Sequence, residues 1–131
     1  MWPCTRWKVE RFCEGRIPQS DDDFLRDCEI APNTEAARIA VAARRAVAET
    51  GSVDPLFIRA DDNAPGGTLD VLPVWDSMDF LTLIFALEKH LDQRAPGSTT
   101  DCLPQSLPFT VRKFAERIIE LIGAKEAKKD E

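Results

Sequence analysis

The chain has 131 residues, 17 of them Lys or Arg against 23 Asp or Glu, for a formal net charge of −6. That length fits one domain, and 44% hydrophobic with 31% charged residues is the composition of an ordinary globular protein. The acidic balance excludes the basic face that a nucleic-acid binder needs. No apolar run is long enough to span a bilayer or to read as a secretory leader, so neither nucleic acid nor membrane is expected as a partner, and the expected location is cytoplasmic.

Residues 1–33 read as an N-terminal extension. Residues 1–18 hold four basic residues (Arg6, Lys8, Arg11, Arg16) against two acids (Glu10, Glu14), whereas residues 19–75 hold five basic residues against eleven acids. A basic extension on an acidic body either folds back onto it or serves as a partner-binding tail. Trp2, Trp7, Phe12 and Ile17 make it too apolar for a plain disordered tail. Ser20, followed by Asp21, Asp22 and Asp23 and then Phe24 and Leu25, has the form of a capped helix start, and a short helix is predicted over residues 21–28.

The Ala-rich stretch 34–50 follows, with Asn33 or Thr34 as N-cap, Gly51 as stop and an apolar stripe of Ile39, Ala43 and Val47. Residues 52–75 contain Pro55, Pro65, Gly66, Gly67 and Pro73 and are expected to be an irregular connection. A loop of that length inside a compact domain usually has a role, and Phe57, Ile58, Leu69, Leu72 and Val74 should pack it back on the helices. A second long helix is predicted from Asp76 to about residue 91, ending before Pro96-Gly97. Pro104 and Pro108 leave room for only a short helical turn within residues 99–107. A last helix begins near Thr110 with Val111, Phe114, Ala115, Ile118, Ile119, Leu121 and Ile122, and residues 123–131 are read as a charged tail.

The second long helix is the most informative. Phe80, Leu83, Ile84, Leu87 and Leu91 lie on one broad face that should point inward. Met78, Leu81 and Phe85 form a second apolar strip, either exposed for partners or covered by the extension or by a wide bundle. At the start of this helix stands Asp76-Ser77-Met78-Asp79-Phe80-Leu81. By local rules alone Asp76 is an N-cap, Asp79 is the N3 acid of something close to a capping box, and Ser77 is an ordinary first-turn residue.

The order and spacing of these elements over residues 34–122, with the Asp-Ser-hydrophobic-Asp start, resemble the acyl carrier protein family. The resemblance implies an all-α fold, a four-helix bundle with a long loop between the first and second main helices, here with an extra N-terminal helical extension. It implies a carrier that is not itself an enzyme. Ser77 would bear a 4′-phosphopantetheine arm taken from coenzyme A, with Asp76 as flanking acid and helix cap. The arm would hold acyl or aminoacyl groups as thioesters, as in fatty acid or polyketide biosynthesis. Met78, Asp79, Leu81 and Phe85 would meet the partners, namely a phosphopantetheinyl transferase and the ligases, synthases or transferases that load or unload the cargo. The chain is expected to be a monomer. The alternative is a carrier-like interaction or scaffold module without the arm. Several positions depart from the family pattern: Val74 replaces the usual Gly, Trp75 is bulky, and Thr82, Lys89 and His90 stand where acids are common. Electrostatic steering of basic partners should therefore be weak.

Other chemistry finds little support. Cys4, Cys13, Cys28 and Cys102 have no metal-ligand spacing and the chain holds one His, so reduced thiols are expected, with Cys28 and Cys102 partly buried. Ser77 and His90 are too far apart along one helix to pair, and His90 is expected to be solvated. Asp61-Asp62-Asn63-Ala64-Pro65-Gly66 fails the calcium-loop pattern at its fifth and twelfth positions and reads as a turn.

Overall fold

A computed structural model describes residues 3–73, 75 and 80–129. Among them are six α-helices: α1 (Pro3–Cys13), α2 (Asp21–Asp27), α3 (Glu35–Thr50), α4 (Phe80–Leu91), α5 (Thr99–Cys102) and α6 (Val111–Lys129). Strand content is slight. β1 (Asn63–Ala64) and β2 (Phe109–Thr110) form one short antiparallel ladder that pairs Asn63 with Thr110 and Ala64 with Phe109.

Local rules explain the helix starts. Ser20 caps α2 by accepting from the Asp23 N–H, and Thr34 caps α3 by accepting from Ala37 N–H. Ser98 and Asp101 make a full capping box on α5, which is why four residues suffice there. In α3, Ala37, Ala40, Ala43, Ala46 and Val47 are buried with Ile39. Alanine has the highest helix propensity and the least bulk. The same residues therefore form the helix and let α4 and α6 both pack closely against it.

The sequence-based expectations differ from the structure in four places. The extension contains a second helix, α1, which begins with Pro3 at a first-turn position where its missing N–H costs nothing. Phe12 on α1 is buried, so this part of the extension folds back onto the body. The stretch read as a charged tail continues α6 to Lys129, because Ala, Glu and Lys are strong helix formers and cations suit a helix C-terminus. Residues 52–73 and Trp75 are more ordered than an irregular loop, and Val74 lies outside the described residues. They hold 3₁₀ turns at Pro55–Phe57 and Thr68–Val71 as well as β1, and Ile58, Leu69 and Leu72 are fully buried. Finally, His90 is not solvated. Its side chain is only 24% exposed, with Nε2 3.7 Å from Glu49 Oε1.

The core also contains a cation. Arg44, in the middle of α3, has no exposed surface. Its Nε donates to the Ile58 carbonyl at 3.0 Å, one terminal nitrogen to Asp21 Oδ1 at 2.9 Å, and the other to the Gln19 and Leu56 carbonyls at 2.8 and 3.2 Å. The Phe24 ring lies 4.8 Å from the guanidinium carbon. Burial lowers the pKa of Arg44, while Asp21 pulls the other way by hydrogen bond and charge. One planar fork thus ties α2, the segment before it and the loop after α3 to one helix. Arg44→Ala leaves these buried acceptors without their donor and should cost about 3 kcal/mol, read as a lower midpoint of urea denaturation.

Candidate functional site

Asp76, Ser77, Met78 and Asp79 lie outside the described residues, so the site is built from what brackets them. Trp75 is the upstream bracket. Its indole has no exposed surface, and Nε1 donates to the Val47 carbonyl at 3.2 Å. That carbonyl also accepts from Gly51 N–H at 3.2 Å, so both of its lone pairs are used at the end of α3. Leu72 and Trp75 press so closely on Gly51 that a Cβ there would sit 2.7 Å from Leu72 Cδ1 and 3.1 Å from Trp75 Cδ1. Gly51 therefore stops α3 and also makes room for the chain that leads to the motif.

Phe80 is the downstream bracket. It is half-buried at the start of α4, with its ring centroid 5.9 Å from that of Phe109, which lies 6.0 Å from Phe114 on α6. Tilted rings at these spacings are a favourable aromatic arrangement. The ladder joins α4, β2 and α6, and β2 pairs in turn with β1 in the loop before the motif.

From Phe80 onward, α4 has two apolar sides. Leu83, Ile84, Leu87 and Leu91 are buried, as their spacing predicts. Leu81 and Phe85 point away from the core and are 53% and 60% exposed. The structure thus brings these two predicted partner-binding residues together on one open strip, one helical turn apart, and the described part of the extension does not cover them. The charged groups at the far end of α4 are largely paired: Lys89 Nζ lies 2.6 Å from Glu49 Oε1, and Glu88 Oε2 accepts from Ala95 N–H at 2.8 Å. The hydrogen bond from Lys89 is the main cause that holds the Glu49 carboxyl below its usual pKa.

Among the described residues the thiols offer no competing site. Cys13, Cys28 and Cys102 are free. Burial pushes all three above their ordinary value, Cys28 to about 11, so each is protonated and weakly nucleophilic at neutral pH. Among the described residues no group of His, Cys, Asp or Glu is placed to hold a metal ion, and no helix is long and apolar enough to cross a membrane. Comparison of the chain with models of protein families, with curated proteins and with solved structures found no match.

Trp75, Asp62 and Arg16 have structural roles near the site that local patterns did not expose. For Trp75 the available signal is a large apolar residue just before the acid expected to cap the next helix, a position that often fixes how a chain enters a helix. Two outcomes follow. Gly51→Ala should cost about 1–3 kcal/mol through overpacking and shift the Trp75 indole resonance in NMR spectra. For Cys28 the folded pKa of about 11 stands above the ordinary 9.0. Between those values the unfolded state has lost a proton that the folded state keeps, so stability should fall as pH rises from 9 to 11. Cys28→Ala should flatten that fall in denaturation midpoints measured across this range.

Proposed function

We propose that the chain is an acyl carrier protein or related carrier, with Ser77 as the attachment point of a 4′-phosphopantetheine arm. The observation that supports this best is the bracketing of the motif. Ser77 follows the buried Trp75 by two residues and precedes Phe80 by three, and the exposed strip of Leu81 and Phe85 begins on the next residue. In this reading α3, α4 and α6 are the long helices and α5 the short one of a carrier-like four-helix bundle, with the loop after α3 leading into the motif.

Modification exchanges the hydrogen of the Ser77 hydroxyl for the phosphopantetheinyl group of coenzyme A and releases adenosine 3′,5′-bisphosphate. The reaction belongs to a separate phosphopantetheinyl transferase. Once bound, the arm supplies a thiol that holds acyl or aminoacyl cargo as a thioester. The chain's own part is to present the hydroxyl, with Asp76 as flanking acid and cap. Met78, Asp79, Leu81 and Phe85 would form the surface that loading and unloading enzymes meet. This agrees with an acidic, non-enzymatic monomer that works in the cytoplasm through protein partners. The pairing of Lys89 with Glu49 makes docking depend on apolar contact more than on long-range charge.

The same exposed strip favours a second reading, a carrier-like interaction module without an arm. Incubation with coenzyme A and a broad-specificity phosphopantetheinyl transferase, followed by intact mass spectrometry, separates the two. The carrier reading predicts addition of one arm, abolished in Ser77→Ala. Failure to modify the chain under conditions that modify a control carrier would favour the scaffold. Phe85→Asp should lower kcat/KM for arm transfer about tenfold, the equivalent of about 1.4 kcal/mol, with folding unchanged by circular dichroism.

A further inference from the structure

We propose that residues 3–19 form a clasp that sets the loop leading into the motif, closed by the ion pair between Arg16 and Asp62. Arg16 is fixed from its own side, with its guanidinium carbon 3.9 Å from the centre of the Phe12 ring. Its two terminal nitrogens reach Asp62 Oδ2 at 2.9 Å and Oδ1 at 2.8 Å, and one of them also reaches the Phe57 carbonyl at 3.1 Å. Asp62 is 4% exposed. Its Oδ1 also accepts from Thr68 Oγ1 at 2.8 Å, and its Oδ2 from the Arg59 N–H at 2.7 Å. A single carboxylate therefore takes donors from the extension and from both arms of the loop.

The remaining contacts extend this link in both directions. Gln19 N–H donates to the Leu56 carbonyl at 2.8 Å, and Arg59 donates to the Ile17 carbonyl at 2.7 Å. Val111 N–H at the start of α6 donates to the Asp62 carbonyl at 2.9 Å. The turn Thr68–Val71 packs against α1. Beyond it, Leu72 and Trp75 lie against Gly51, directly before the motif. Asn63 closes the turn by accepting from Thr68 N–H at 3.0 Å, and Gly67 approaches it so closely that a Cβ there would overlap Asn63 Oδ1. Loss of Arg16 leaves the buried Asp62 charge with neutral donors only, a costly state for a carboxylate. The cost falls first on the loop, because the side-chain hydrogen bonds of Arg16 and Asp62 run to Phe57, Arg59 and Thr68.

The clasp rests on this geometry; its role in presenting Ser77 rests also on the carrier reading. Hydrogen exchange on the full chain tests the first part. In Arg16→Ala, peptides within residues 59–72 should exchange about tenfold faster or more, while peptides from α3 stay protected. Asp62→Asn, a milder change that keeps the side-chain shape, should give the same pattern with smaller amplitude. Unchanged exchange in the loop, or equal acceleration in loop and α3, would overturn the clasp. Arm transfer tests the second part. Arg16→Ala should raise KM for the chain as transferase substrate severalfold and still reach full modification. An unchanged KM would overturn the presenting role. If the wild-type chain takes no arm at all, the carrier reading fails, and the exchange data still decide the clasp.

Discussion

The indole of Trp75, seated on the last turn of α3, is the contact on which the arrangement around the motif depends. It is a large apolar surface with one polar atom, and that atom donates to a carbonyl that the end of a helix leaves partly free. Its position favours glycine at 51, since a Cβ there would lie 2.7 Å from Leu72 Cδ1 and 3.1 Å from Trp75 Cδ1. The long loop is thus tied down just before the motif, and α4 begins just after it with Phe80 in an aromatic ladder to α6. Under the carrier proposal, two fixed ends with four residues between them would suit a segment that offers one hydroxyl in a repeatable place.

The loop itself is held by charge as well as by apolar burial. Arg44 and Asp62 are both buried, and each collects partners from segments far apart in sequence. A buried ion pair is weak evidence for stability, because desolvation offsets much of its attraction. Its value here is directional. A guanidinium fork and a carboxylate accept only certain geometries, so they fix the path of a Pro- and Gly-containing loop whose buried apolar side chains, Ile58, Leu69, Leu72 and Trp75, pack without directional preference. The extension, whose basic character stood out against the acidic body, supplies Arg16 to this framework.

Elements governed by local rules were legible in the sequence. The caps at Ser20 and Thr34, the stop at Gly51, the inward face of α4 and the confinement of α5 between prolines follow from neighbours in the chain. Features that depend on distant partners were not. The pairing of β1 with β2 joins residues more than forty positions apart. Arg44 looks like a surface cation until Ile58, Leu56 and Gln19 gather around it. Asp62 sat in a failed calcium-loop pattern and reads as a turn residue until Arg16 reaches it. His90 joined the wrong class for the same reason, since Glu49 approaches from another helix. At the site, periodicity defined the strip of Leu81 and Phe85, and only the packing of the other elements decided that it is open.

The central proposal is that the hydroxyl of Ser77, in the segment between the anchored Trp75 and Phe80, is open to reagents in solution. Thiol labelling tests it most directly, with Ser77→Cys in a chain whose Cys4 and Cys13 are replaced by serine. The account predicts reaction with a small thiol reagent under native conditions at nearly the rate of the unfolded chain, while the buried Cys28 and Cys102 stay unmodified. Labelling at position 77 that waits for denaturant would contradict it.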